Sequence, residues 1–373
     1  MRYILFSVVL VNLLFAHLVN EYRNKVGLNS LKDNQYLTKA AKLHAYFMYK
    51  NHVIGHYEKE GYPYFVGVTP ADRAIKVGYP SKMVLENISN GQSNFSESIE
   101  QLFGAIYHRL GFLDFNIDEI GYSKVDKFYV YDMGNSVISK ACKYPSNARN
   151  GYIKMCKNPN TIIPQSIYNK IQNQNPSVVM WPYDGMSDTP VAFYSETPDP
   201  MPEYEVCGYP ISISFNPSYY KNIELIKFNL QGVKTKLITS KNDVNHLLKD
   251  NQFVIFPLER LEPNKKYIVH AVFRVDGEIK HFNWSFDTKK VSNVLEVTNN
   301  NQTFYIKPNK KYIVYFKPQN KNDIIKNFKT KYSSTIHFKK IGFKDANNIY
   351  LEVEGYGDIT IFNDTKKVNL KVK

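Results

Sequence analysis

The sequence predicts an α/β unit at the N-terminal end followed by all-β modules, and three observations carry that prediction. Residues 17–140 place apolar side chains at helical spacing between capping residues, then turn to strand-like runs. Residues 206–290 alternate apolar and polar positions around an Asp276-Gly277 turn. Residues 291–373 also read as strands, as in FYIKPNKKYIVYFKP with a turn at Pro308-Asn309. With 373 residues, 43% of them hydrophobic, the chain can bury more than one core, so two or three domains are expected.

Residues 1–16, MRYILFSVVLVNLLFA, carry one Arg, an apolar run and then Ala16. That is the form of a secretory signal peptide, and it is short for a membrane span. The cleavage site is weak, because Leu14 stands where a small residue is wanted. Cleavage and retention as an anchor both stay open, and export to the periplasm, surface or medium is expected.

Within 17–140, Leu18, Val19, Tyr22 and Val26 follow helical spacing up to Gly27. A second helix fits 35–50, capped by Asn34, with Leu37, Ala40, Ala41, His44 and Met48 on its apolar face. In TPADRAIKVGY, Thr69 is an N-cap, Pro70 takes the first helical position, Asp72 completes a capping box and Gly78 stops the helix. A fourth helix starts near Ser96, with Ile99, Leu102, Phe103 and Ile106 on one face and Gly111 ending it. Strands follow around 120–125 and 128–132.

Residues 141–205 are Pro- and Asn-rich and read as an irregular connector that ends in the acidic stretch SETPDPMPEYE. Residues 206–290 then read as a small β-sandwich. On the strand before Asp276-Gly277, Tyr267, Val269, Ala271, Phe273 and Val275 share a face; on the one after it, Phe282, Trp284 and Phe286 do. No internal repeat is evident. Cys142 and Cys156 flank a short segment and could close a loop in an exported protein, leaving Cys207 free; three reduced thiols are the equal alternative.

The net charge is +14, from 48 basic and 34 acidic residues. Residues 291–373 hold 15 Lys against 7 Asp plus Glu, a net of +8. Such a balance suits a polyanion, but Lys, Asn, Tyr and Ile are abundant throughout and no basic run or nucleic-acid motif occurs. The excess is read as compositional, with no nucleic-acid partner.

Three side chains from separate segments invite pairing. His56 lies in the turn-like VIGHYEKEGYP, Glu86 in VLENISNG and His108 in AIYHRLGF. On a continuous helix His108 lies about 180° from Ile99, so it points to solvent or a cleft. Two imidazoles and a carboxylate suit zinc, with water in the fourth position; without metal the same groups hydrogen-bond. Taken alone, His108 and Arg109 would simply satisfy helix C-terminal carbonyls. The His52/His56 spacing is a decoy, and His44 is a core histidine.

In order along the chain come NEYRNKVGLNSL, KAAKLHAYFM, GHYEKEG, ENISNG, IYHRLGFL and DEIGYS. Together they resemble the CAP superfamily of cysteine-rich secretory proteins, antigen 5 and pathogenesis-related proteins, in its bacterial form. The resemblance covers about a third of the chain. It implies a three-layer α-β-α sandwich with a central cleft of two His and two Glu, often holding a divalent metal. By motif, His56 is similar to the first His, Glu86 to the first Glu and His108 to the second His. The second Glu has no counterpart: Glu97 and Glu100 would lie about 16 and 12 Å along the helix axis from His108. The implied site is therefore His56, Glu86 and His108, with zinc as the candidate metal. Arg73 and Arg109 are expected to hold buried carboxylates or carbonyls, and Glu119 to be a structural acid.

GYPISISFN, LEPNKKYIVHAVFRVDG and FNWSFDT resemble a bacterial Ig-like module of surface proteins. Two functions follow as expectations: a binding protein of the cell envelope or surface, for a metal or a small or lipid-like ligand, and a metal-dependent hydrolase of peptide or envelope polymer. Binding is preferred, because no G-x-S-x-G element is present and the fold alone does not settle function. A structural role for the β modules beside a vestigial cleft is the third reading.

Overall fold

The computed structural model describes residues 18–320, 323–325, 327–345 and 347–373. The signal-peptide reading of residues 1–16 falls outside them. No helix among the described residues is long and apolar enough to cross a membrane.

The N-terminal part is an α-β-α sandwich around one four-stranded sheet. Its helices are α1 (18–25), α2 (Gln35–Asn51), α3 (Pro70–Val77), α4 (Phe95–Gly104), α5 (Ile106–Phe112) and α6 (Ser136–Lys143). Its strands are β1 (Lys32–Asp33), β2 (Leu85–Asn90), β3 (Glu119–Val125) and β4 (Phe128–Gly134), ordered β1-β3-β4-β2. The caps stand where the sequence puts them. Asn34 accepts from the backbone of Tyr36 and Leu37, Thr69 and Asp72 form the reciprocal box, and Gly78 ends α3 at φ 104°.

Strand alternation sorts the layers. Tyr129, Tyr131 and Met133 share a core with Val19, Ile99, Leu102 and Phe112 on the α1/α4/α5 face. Val130 and Ile88 pack with Ala41, Ala45, Phe47 and Met48 on the α2 face. At Gly121 of β3 the helix α2 comes so close that a Cβ would sit 2.0 Å from the Thr38 nitrogen.

The fourth helix departs from expectation. It breaks at Ala105 (φ −89°, ψ 124°), so α4 and α5 are separate helices, and Gly111 lies inside α5. The angle reckoned along one continuous helix therefore does not apply. Gly104, which costs a helix interior about 1 kcal/mol relative to Ala, stands at the break. The restart puts Ile106 and Leu110 into a core with Phe193, Met201, Cys207, Val254 and Phe256 from farther along the chain.

The all-β part holds two sandwiches. The first contains β5 (Val178–Trp181), β6 (Met186–Thr189), β7 (Ile211–Phe215), β8 (Ile223–Leu230), β9 (Thr235–Thr239), β10 (Gln252–Pro257), β11 (Lys266–Val275) and β12 (Glu278–Thr288). Its sheets run β5-β7-β10-β9 and β6-β12-β11-β8. Two of these strands come from the stretch read as irregular connector, because Trp181 and Met186 are buried in the shared core rather than spent on a linker. The same stretch carries α7 (Gln165–Tyr168) and a disulfide between Cys142 and Cys156. Closing a loop of that size contributes about 3 kcal/mol. Cys207 is free and buried.

The second sandwich contains β13 (Val294–Val297), β14 (Gln302–Ile306), β15 (Lys311–Phe316), β16 (Lys329–Tyr332), β17 (His337–Asp345), β18 (Asn348–Glu354), β19 (Gly357–Phe362) and β20 (Lys367–Val372). Its sheets run β13-β15-β18-β17 and β14-β20-β19-β16. Lettering each set of eight a to h, both modules read a-c-f-e over b-h-g-d. This is an internal repetition that the sequence does not display. The heptapeptide PNKKYIV does occur twice, at 263–269 and 308–314, but it opens strand g in one module and strand c in the other. What it repeats is a local device. Asn264 and Asn309 turn the chain at φ 57° and 58°, and the Tyr267 and Tyr312 hydroxyls accept from Glu262 N and Lys307 N at 2.9 Å.

One hydrophobic core runs from α1 through α4 and α5 into the first sandwich, joined by Tyr22, Phe103 and Trp181 with ring centroids 4.5 to 5.3 Å apart. The second sandwich has its own core.

Candidate functional site

The site lies at the open edge of the sheet, where β2 has no outer neighbour. In the E-N-I stretch, alternation sends Glu86 and Ile88 to the α2 face and Asn87 to the other. Asn87 donates to the His108 carbonyl at 2.8 Å, and a Cβ at Gly111 would meet the Asn87 oxygen at 3.1 Å. The strand therefore fixes the cleft from both faces.

His56 enters from the loop after α2. Its Nδ1 lies 3.0 Å from Glu86 Oε1, and its side chain is 38% exposed. Glu86 is 1% exposed and gives its other oxygen to Arg73 at 2.6 Å. Arg73 also donates to the His56 carbonyl at 3.0 Å. Burial works to raise the Glu86 pKa, but the His56 hydrogen bond and the nearby His44 and Arg73 outweigh it and hold it below the usual value.

His108 enters from the first turn of α5. Its Nδ1 lies 2.8 Å from Glu196 Oε2, with the His side chain 12% exposed and the Glu 2%. Glu196 also accepts from Ile106 N at 2.6 Å and Tyr107 N at 3.1 Å. One carboxylate thus caps α5, whose own N-cap Ala105 has no side-chain acceptor, and orients its histidine. The two imidazoles face each other at 6.5 Å between centroids, 30° from parallel.

His56, Glu86 and His108 lie together at this edge, while His52 is the exposed cap of α2. Arg73, Arg109 and Glu119 are structural. Arg109 is buried, donates to the Pro210 carbonyl at 3.0 Å and lies over the Tyr209 ring, and Glu119 accepts from Asn34 and Tyr79 at 3.0 Å. His44 is a satisfied core histidine, bonded to Glu58 Oε1 and the Gly55 carbonyl at 2.9 Å. Glu58 also accepts from Val66 N and Gly67 N, which ties the loop that carries His56.

Sequence reasoning missed Glu196, Glu58 and Asp132. No local signal marked Glu196, because the start of α5 that it caps is itself set by contacts from farther along the chain. Asp132 pairs with Glu86 across β2 and β4, is fully buried, and its carboxyl oxygens have no hydrogen-bond partner among the described residues. Burial first, then the Glu86 charge, raise its pKa well above the carboxylate range, against the opposing pull of Arg73. The native state then keeps a proton that the unfolded chain releases. Its stability contribution is full below about pH 4 and is lost as pH rises toward the native pKa, by about 1.4 kcal/mol per pH unit. Asp132→Asn, which keeps the shape without titrating, should therefore gain on the wild type as pH rises from about 4, with a melting-temperature advantage that widens until the native pKa is reached. A deficit of equal size at every pH would contradict a neutral Asp132.

A three-donor His2Glu metal centre does not fit these residues. Both Glu86 oxygens are committed, and no group of three or more His, Cys, Asp or Glu among the described residues is arranged to hold a metal ion. The nitrogens left for a ligand are Nε2 of His56 and of His108. Two imidazoles sharing one zinc hold their centroids about 5 Å apart, so a shared ion needs the rings to close from the observed 6.5 Å.

The N-terminal α-β-α sandwich thus carries two His–Glu couples at one edge of its sheet. Residues 16–132 match the cysteine-rich secretory protein family, CAP. Similar solved structures include an extracellular protein containing an SCP domain from Bacillus anthracis, 24% identical over 32% of this chain and 38% of that one, TM-score 0.29. An outer surface protein from Borrelia burgdorferi is 22% identical over 34% of this chain and 91% of that one, TM-score 0.29. A cysteine-rich secretory protein from Staphylococcus aureus is 18% identical over 32% and 36%, TM-score 0.22. No curated protein matches the chain.

Proposed function

We propose that the chain works outside the cytoplasm as a binding protein, with a small polar ligand held in the CAP cleft between His56 and His108. One observation carries this reading. Each imidazole is anchored through Nδ1 to a buried carboxylate, which leaves both Nε2 atoms for one ligand. A carboxylate behind an imidazole fixes its tautomer and strengthens the outer nitrogen as a donor or a ligand. A divalent cation fits this scheme only with two protein nitrogens and oxygens supplied by the ligand. The hydrolase reading has less support, since catalytic zinc takes three protein ligands.

Export is supported by the signal-like N-terminus and by the Cys142–Cys156 disulfide, which belongs in an oxidising compartment. The β modules are read as immunoglobulin-like spacers that display the cleft at the cell surface. Their a-c-f-e over b-h-g-d order corresponds to ABED against a sheet of C, F and G with a short A′ strand beside G.

The test is calorimetric titration with zinc ion and with inorganic phosphate, beside peptide and ester turnover assays, on wild type, His56→Ala and His108→Ala. The expected result is binding of at least one probe, lost in both variants, without turnover. Binding that survives both substitutions, or turnover that both abolish, contradicts the proposal.

A further inference from the structure

The loop between α2 and α3 brings His56 to the cleft, and the same loop carries uncovered apolar surface. Six large apolar side chains exposed to solvent fall within residues 53–68. Tyr57, which follows His56 directly, is 72% exposed, and Ile54, Tyr62 and Tyr64 are exposed on the same loop. The hydroxyls of Tyr57, Tyr62 and Tyr64 form no hydrogen bond among the described residues. The loop that carries them is nonetheless tied down. Glu58 N donates to the Val68 carbonyl at 3.0 Å, the Glu58 carboxylate accepts from Val66 N at 2.7 Å, and Arg73 donates to the His56 carbonyl at 3.0 Å. Exposed rings on a fixed frame are what a binding surface uses, because little order is left to impose when a partner arrives.

The polar chemistry of the cleft narrows the partner. Nδ1 of His56 and of His108 each faces a carboxylate, which only accepts, so in the neutral ring the hydrogen sits on Nδ1. Both Nε2 atoms are then acceptors, and the ligand between them must donate. An anion would first need a proton on a ring, since the charges behind the rings are the carboxylates of Glu86 and Glu196 and Arg73 is committed to Glu86. An organic cation meets a chain of net charge +14, with Lys59 over the Tyr62 ring and Lys50 over the Tyr46 and Tyr49 rings at 5.2 to 5.4 Å. A neutral ligand with hydroxyl donors has neither conflict. Sugars add a second match: the CH groups on the face of a sugar ring are weakly positive and lie well on the negative face of an aromatic ring.

We infer that the ligand of the His56/His108 cleft is a neutral glycan, whose ring hydroxyls donate to the two Nε2 atoms and whose apolar faces stack on the exposed tyrosines of the 53–68 loop. This rests on the reading of the cleft as a ligand site and adds the class of ligand. The loop then has two roles, one histidine that accepts from the sugar and a set of rings that hold the chain beside it.

The test uses the full chain with four neutral oligosaccharides, maltohexaose, cellohexaose, mannohexaose and chitohexaose, beside hexagalacturonate as the anion and the glucosamine hexamer as the cation. Affinities are read by nuclear magnetic resonance titration in wild type, His56→Ala, His108→Ala, Tyr57→Ala and Tyr356→Ala. Tyr356 is 65% exposed in the β18–β19 turn of the second sandwich, so its loss removes an equally exposed ring that belongs to no part of the cleft. Tyr57 is too exposed for its removal to unfold the domain. The expected result is that at least one neutral hexamer binds, at least tenfold tighter than either charged one. Its affinity should fall at least tenfold in both histidine variants, at least fivefold in Tyr57→Ala and less than twofold in Tyr356→Ala. A charged hexamer that binds as tightly as the neutral ones, equal effects at Tyr57 and Tyr356, or sugar binding that survives both histidine substitutions overturns the inference. Zinc bound and lost in both histidine variants while no neutral hexamer binds also overturns it, and leaves the ligand-site reading standing. If zinc, phosphate and every hexamer fail to bind, the ligand-site reading falls with it.

Discussion

Gly121→Ala should leave little of the N-terminal α-β-α sandwich folded. The added methyl would lie 2.0 Å from Thr38 N, 2.2 Å from Leu37 C and 2.6 Å from Leu37 Cβ. Two of these are backbone atoms of α2, so no side-chain rotation relieves the clash. The helix must lift from β3, and Leu37, Ala40 and Ala41 lift with it, all fully buried at present. Overpacking a core commonly costs 1–3 kcal/mol, and a backbone clash of this kind belongs in the tail at about 4 kcal/mol or more. Because α2 also carries His44, which ties the His56 loop through Glu58, the cleft should go with it. A melting curve within a few degrees of wild type would contradict the close approach.

Glu196→Gln should weaken ligand binding far more than it weakens the fold. The amide oxygen of Gln can still accept from Ile106 N or Tyr107 N, so much of the α5 cap survives and the stability loss should be about 1 kcal/mol. His108 is affected differently. A carboxylate accepts a proton from Nδ1, whereas an amide NH2 donates to it. The substitution therefore favours the tautomer with its hydrogen on Nε2 and withdraws the lone pair from the cleft. Replacing such a supporting group typically costs 10- to 100-fold in affinity, and that loss is expected for any probe bound through His108 Nε2. Glu196→Ala removes the cap as well and should cost a further 1–2 kcal/mol. Equal affinity in Glu196→Gln and wild type would show that Glu196 only caps the helix.

The parts of the molecule legible in sequence were those whose cause is local. Asn34, the Thr69-Pro70-Asp72 box and Gly78 announce helix ends through neighbouring backbone groups, and each stands where expected. His56, Glu86 and His108 were found through ordered motifs, with the resemblance supplying what spacing could not. What failed was non-local. Nothing between residues 95 and 112 forces a break at Ala105; it is held by Glu196, which binds Ile106 N from 90 residues on, and by a core shared with the first sandwich. Glu196 was invisible because SETPDPMPEYE has the composition of a linker, and composition does not reveal which acid turns inward. Strands β5 and β6 are short, and cross-strand partners and burial make them strands rather than their own pattern. The repetition of the two sandwiches was hidden because alternation, not identity, sets a sandwich, while the one identical heptapeptide marks unequal strands.

The most direct measurement is the protonation pattern of the His56 and His108 ring nitrogens, read by long-range proton–nitrogen correlation on histidine-labelled protein in mildly alkaline buffer. Nine histidines make assignment by single substitution practical. The expected result is hydrogen on Nδ1 of both rings, with Glu196→Gln shifting it to Nε2 on His108 alone and added ligand perturbing both Nε2 signals together. Hydrogen on Nε2 of either ring in the wild type, or rings that respond to ligand separately, would contradict a cleft built from two carboxylate-anchored imidazoles.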